Sequence, residues 1–251
     1  VCAKVLGIHM SRCNRSTQSA IHSTLPPFVP VHHPPAPSGA THQGREAPLN
    51  LAYYEPNEEL QFQVNAGVKI GGENIWRFAQ KPLNISLRGK YGDDAIAYQL
   101  FPDQRIANFS RFGLRNGGDN WDDAMLRDAI TPRIMHGQMA NDVEDYQPVV
   151  VYMNGRYWGI HNLRSSLDPN YFASRHQVDP DNSDHLEYGH ITSGAVTLGV
   201  KEGDTDDYLA LEEYAATNDL SDPMHYAHME SQMDMESFMD FVCIEDFVYN
   251  S

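Results

Sequence analysis

The chain has 251 residues, 41% of them hydrophobic, and a formal net charge of -16 at pH 7. That is apolar material enough for one large domain or two small ones, and the acidic balance argues against nucleic acid as the main partner, because a phosphate backbone needs a basic surface. No apolar run approaches the roughly 20 residues of a membrane span, and three cysteines, Cys2, Cys13 and Cys243, spell no disulfide framework.

The charge is uneven. Residues 1–45 contain four basic residues (Lys4, Arg12, Arg15, Arg45) and no Asp or Glu. Six prolines between Pro26 and Pro37, scattered Ser and His, and no hydrophobic period predict that residues 1–43 are a disordered extension. Order is expected from about residue 44. Leu49, Leu51 and Tyr53 alternate as in a strand, and a turn at 55–58 leads to a second alternation at Leu60, Phe62 and Val64. Val68-Lys69-Ile70 reads as a third strand closed by Gly71-Gly72, and residues 83–88 as a fourth. The expectation is a mostly antiparallel sheet with short connections.

The stretch from Arg111 to Arg164 is the most informative. A short strand and a Gly-Gly turn precede a helix predicted over 121–138, with Asp119 or Asn120 as cap, Leu126, Ile130 and Ile134 on one face, and Pro132 interrupting. A hairpin follows, turning at Asn154-Gly155, a pair suited to the positive φ angles of a type I′ turn. Apolar residues on both faces of 149–153 predict a central strand pair. Asp168-Pro169 opens a helix to about Gln177, residues 179–187 read as an acidic loop, and helices are predicted over 205–218, from Ser221-Asp222-Pro223 to Met233, and over 235–248. The acidic loop fails the calcium-loop template, which needs Gly at position 6 and Glu at position 12 where this chain has Asp184 and His190. His225 and His228, three apart on a helix, have no third ligand marked. The chain does not begin with Met and stops inside an apolar helical pattern, so it reads as a fragment truncated at both ends.

Several segments stand in a recognisable order: NAGVKIGG, QKPLNISLRGKYGD, FGLRNGGDNWDDAMLRDA, PVVVYMNGRYWGIHNLR, HQVDPDN and DLSDPMHYAHMESQMDMESFMDF. Together they resemble the CotH kinase family, the kinase-like proteins named for spore coat protein H. The resemblance runs from about residue 44 to Ser251. It implies an α+β, distant protein-kinase-like fold: a mostly antiparallel N-lobe sheet plus helix over 44–164, then the start of a helical C-lobe, incomplete, over 165–251. It implies ATP with Mg or Mn as cofactor, protein Ser/Thr as substrate, and an extracellular or cell-surface location. Carried over residue by residue, it implies that Gly71 and Gly72 cover phosphates, that Lys81 reaches them with Asp128 as its acid partner, that Arg127 is a rival phosphate contact, and that Asn162 and Arg164 lie at the hinge. Ile75-Trp76 stands where the family has Ser-Arg, Pro82 follows Lys81, and Ser165 replaces a Glu. The catalytic and metal-binding Asp of the family have no counterpart up to Ser251, so no catalytic or metal residue is assigned and the fragment is expected to be inactive. The alternative is a kinase-like module that binds or scaffolds without catalysis.

Overall fold

The computed structural model describes residues 4–9, 46–71, 78–102, 108–118, 121, 125–179, 181–190 and 196–248. In chain order the strands and helices are β1 (Lys4–His9), β2 (Ala47–Tyr54), β3 (Leu60–Ile70), β4 (Leu83–Ser86), β5 (Ile96–Ala97), β6 (Asn108–Phe109), β7 (Arg111–Arg115), α1 (Arg127–Met135), β8 (Tyr146–Met153), β9 (Arg156–Ser165), α2 (Pro169–His176), β10 (His185–His190), β11 (Val196–Glu202), α3 (Asp206–Thr217), α4 (Pro223–Gln232) and α5 (Met235–Phe247). The chain divides into two compact units. One holds Val1–Ile134 and Glu144–Ser166, the other Met135–Val143 and Leu167–Ser251.

The first unit is a closed barrel of order β1-β2-β3-β4-β7-β9-β8. Its ladders are antiparallel except where β1 runs parallel to β8. Period-two alternation builds it. Leu49, Leu51 and Tyr53 of β2, Ile85 of β4, Phe112 and Leu114 of β7, Val149 and Val151 of β8 and Leu163 of β9 all point into one core and are buried. Tyr53 stacks on Phe62 with ring centroids 5.2 Å apart. The hairpin from β8 to β9 turns at Asn154 and Gly155 with φ of 51° and 76°, the positive values that the pair predicts.

Three expectations are corrected within this unit. Residues 1–43 are not uniformly disordered, because Lys4–His9 is a barrel strand; residues 10–45 lie outside the described residues. Leu6 and Ile8 are 1% and 2% exposed, and each contributes about 1.5–3 kcal/mol by leaving water. Both edges of β1 are paired, so a strand of six residues is held although the basic, Pro-rich composition around it signals nothing. The expected, mostly antiparallel sheet is closed into a barrel by this strand. Next, the two alternations at 60–64 and 68–70 form one continuous strand, β3, pairing with β2 and β4 along its length. Lastly, α1 starts at Arg127 rather than at 121, with Pro132 inside it, and Leu126, Ile130 and Ile134 are exposed while Ala129 and Met135 are buried. Polar contacts decide which face turns inward: Arg164 Nη2 donates to the Asp128 carbonyl at 2.6 Å and Arg115 pairs with the Asp128 carboxylate. The expected caps Asp119 and Asn120 lie outside the described residues.

The second unit is mostly helical. Asp168 caps α2 by accepting from Tyr171 N at 3.0 Å, and Asp222 caps α4 by accepting from Met224 N at 2.8 Å, each with Pro next in sequence. Met135, Val143 and Ile244 form a small core, and Asn141 Nδ2 donates to Ser237 O of α5 at 2.7 Å. The acidic loop ends earlier than its composition suggests, since β10 begins at His185 and pairs with β11 as a two-stranded hairpin. Among the described residues no helix is long and apolar enough to cross a membrane.

Candidate functional site

The barrel wall made by β3, β4, β7 and β9 has an inner face and an outer face, and alternation assigns the residues to each. Val68, Ile85 and Phe112 lie in register on the inner side, as do Ile70, Leu83, Leu114 and Leu163. The positions between them carry polar groups and glycine. Lys69 pairs with Asn84, Asn84 with Gly113 and Gly113 with Arg164, a row across the sheet; Ser86 pairs with Arg111 in the next row. These residues floor a cleft of about 360 Å³, walled also by Gly71, Arg88, Arg115, Asn116 and Glu144. Gly113 keeps the floor low. A Cβ there would sit 3.9 Å from both Arg164 Cβ and Asn84 Oδ1, an ordinary contact that would project into the cleft.

The electrostatics are lopsided. Lys69, Arg88, Arg111, Arg115 and Arg164 face the cleft against Glu144. Arg88 is engaged by Glu46 at 3.0 Å, and Arg115 by Asp128 Oδ1 at 2.8 Å. Arg164, with 4% of its side chain exposed, is the deepest cation. Its Nη2 lies 3.7 Å from Asp128 Oδ2 and its Nε 3.4 Å from Glu144 Oε2. Neither contact is a hydrogen bond, and Nε, Nη1 and Asp128 Oδ2 are buried without a hydrogen-bond partner. Burial pulls the Arg164 guanidinium down from its ordinary value while Asp128 and Glu144 pull it back, and it stays charged. Burial pushes the Glu144 carboxyl up, against the pull of Arg164. A buried guanidinium with unused donors is costly unless an acceptor reaches it. The cleft lining thus carries an excess of positive charge, which favours an anion over a cation.

Of the residues expected at the site, Gly71 and Arg164 line the cleft, and Asp128 stands beside it in contact with Arg115 and Arg164. Asn162 is buried two residues before Arg164, opposite Arg115, and does not line the cleft. Arg127 is exposed at the start of α1, away from the lining. Gly72, Ile75 and Trp76 lie outside the described residues. Lys81 also stands apart from the lining: its Nζ donates to Phe78 O, and burial lowers its pKa. Asp128 therefore holds two arginines rather than Lys81. Sequence reading passed over Lys69, Arg88, Arg111, Arg115 and Glu144. The signal was present as period-two polar runs, Asn84-x-Ser86-x-Arg88 and Arg111-x-Gly113-x-Arg115, on the face opposite the apolar alternation.

Behind the cleft a buried network anchors the segment 78–82. His161 Nε2 donates to Lys81 O at 3.2 Å, which leaves Nδ1 to accept from Gln80 Nε2 at 3.0 Å. Gln80 Oε1 accepts from Trp121 Nε1 at 3.0 Å, and Asn116 Nδ2 donates to Gln80 O at 2.8 Å. Burial lowers His161 to about 4, so the ring is neutral near pH 7.

Fold and cleft together define a mixed α and β protein with a cationic cleft on the outer wall of a small barrel. The family model described as CotH kinase protein matches residues 68–251, most of the chain, and the protein belongs to the CotH kinase family. Strands β1 and β2 precede the matched span. A comparison with curated proteins finds no match.

Proposed function

We propose that this protein serves kinase-type chemistry by holding the phosphate groups of ATP in the cleft between Lys69 and Arg164, with the barrel unit as counterpart of a kinase N-lobe and the helical unit as the start of a C-lobe. The observation that carries the reading is that five cations, Lys69, Arg88, Arg111, Arg115 and Arg164, line one cleft with Glu144 as the acid in its lining. ATP supplies the transferable phosphoryl group when bound. Arg164 would donate to its phosphate oxygens from β9, Arg111 and Arg115 from β7 on either side of Gly113, Lys69 from β3, and the Asn84 amide from the floor. At about 360 Å³ the cleft falls at the small end of ligand sites, in keeping with a phosphate chain. The described residues gather no group of three or more His, Cys, Asp or Glu suited to a metal, so no step is assigned to a divalent ion. The test is calorimetric titration with ATP of the chain and of Arg164→Met. Loss of about tenfold or more in affinity is expected; equal affinity overturns the reading.

A second reading, a family member that binds without transferring phosphate, is favoured by Lys81, whose ammonium donates to Phe78 O and is not part of the cleft lining. Phosphate incorporation with ATP and Mn²⁺, compared between the chain and Lys81→Ala, separates the two: lysine-dependent incorporation eliminates the second reading. A location outside the cell or at its surface belongs to the same proposal, tested by protease accessibility on intact cells.

A further inference from the structure

The two acids beside the cleft are placed to compete with its ligand. Asp128 Oδ1 lies 2.8 Å from Arg115 Nη2, and Asp128 Oδ2 lies 3.7 Å from Arg164 Nη2. Glu144 Oε2 lies 3.4 Å from Arg164 Nε and lines the cleft itself. In a protein kinase the acid that pairs with the phosphate-binding cation holds it ready, and losing that acid weakens the site. The geometry here differs in one respect. The carboxylates offset the charge of Arg164 but leave its Nε and Nη1 without hydrogen bonds, and leave Asp128 Oδ2 equally unserved. Arg164 is already positioned by other means: its strand is paired on both edges, by β7 and β8, and its Nη2 donates to the Asp128 carbonyl at 2.6 Å, a bond that does not need the Asp128 carboxylate.

We infer that Asp128 and Glu144 act as resident anions that hold down the affinity of the cleft for phosphate groups, so that the carboxylates and the ligand compete for Arg115 and Arg164. The inference rests on the phosphate-binding reading of the same cleft. An incoming phosphate chain would meet the positive charge that the two carboxylates now offset, and its own charge would oppose both of them within a few ångströms of Arg164. Affinity is then set by the difference between two anions, and any change that draws Asp128 or Glu144 away from the arginines raises it. Asp128 is a positioning residue of α1 as well, because its carboxylate ties the start of that helix to the barrel. Occupancy of the cleft and the hold on α1 are thereby linked with opposite sign.

The experiment is titration of the full chain with pyrophosphate and with ATP, at fixed ionic strength and pH 7.5, using wild type, Asp128→Asn, Glu144→Gln and Arg164→Met, each checked by thermal melt. Both acid variants are expected to bind about 3- to 30-fold more tightly than wild type, and Arg164→Met more weakly. Glu144→Gln keeps the test decisive if Asp128→Asn loosens α1 enough to unfold. If wild type binds and the acid variants bind equally or more weakly, the acids only position the arginines and this inference is overturned while the cleft reading stands. If wild type binds neither probe, or Arg164→Met binds as wild type does, the cleft reading falls and the inference with it.

Discussion

His161 Nε2 lies 3.2 Å from the backbone oxygen of Lys81, and this contact fixes both the tautomer of the ring and the path of the segment that carries the lysine. A carbonyl only accepts, so Nε2 holds the proton and Nδ1 receives the Gln80 amide. The ring is fully buried, and protonation would force a second donor against Gln80 Nε2.

Stability should therefore fall in mild acid. Burial sets His161 at about 4 in the folded chain against an ordinary 6.5. Between these values the unfolded chain binds a proton that the folded chain refuses. The stabilisation is complete above pH 6.5 and is lost as pH falls toward 4, on the order of 3 kcal/mol from this group. Urea midpoints at a series of pH values check it. His161→Gln should be less stable at pH 7 and show a flatter profile across that window; an unchanged slope refutes the assignment.

Gly159 and Gly155 both have positive φ, at 128° and 76°, but their surroundings differ. A Cβ on Gly159 would lie 2.7 Å from Gln80 Nε2, whereas nothing lies within 4 Å of one on Gly155. Gly155→Ala should cost about 1 kcal/mol through backbone strain, and Gly159→Ala about 2–4 kcal/mol, because the Gln80 network must shift too. Denaturant titration of the pair measures the difference.

The N-terminal strand should be structurally required. Leu6→Ala leaves a cavity in the barrel core and should destabilise it by about 2–5 kcal/mol. Removing residues 1–9 exposes one edge each of β2 and β8 and should increase aggregation. Thermal melts and light scattering report these effects; a truncated chain as stable and monodisperse as the parent would refute the role of β1.

Filling the cleft floor should separate binding from folding. Gly113→Val adds a β-branched side chain to a strand at a position with room for its Cβ, so the melt should move by no more than about 1 kcal/mol. The added methyls occupy the space between Asn84 and Arg164, and pyrophosphate affinity should drop by about tenfold. Unchanged affinity would place the anion elsewhere.

Short-range chemistry made much of this chain legible from its residues alone. The Asn154-Gly155 turn, the Asp168-Pro169 and Asp222-Pro223 helix starts, and the alternation of Leu49, Leu51 and Tyr53 are set within a few residues, and the structure has them where the sequence puts them. Family membership was legible for a related reason, since it rests on ordered motifs rather than on any one contact. Tertiary structure alone decided the rest. Strand β1 exists because β2 and β8 offer it two edges and a core, partners far along the chain, with Val5 opposite Tyr54 on one side and Val150 on the other, that local composition does not encode. Leu126, Ile130 and Ile134 form the apolar face that periodicity predicts, yet Asp128 turns the helix the other way by meeting Arg115 and Arg164. The cleft has the same origin. Lys69, Arg111, Arg115 and Arg164 come from three strands, and only the register of β3, β4, β7 and β9 sets them on one face. Their mutual repulsion, and the donors that Arg164 leaves unused, arise only when those strands are side by side.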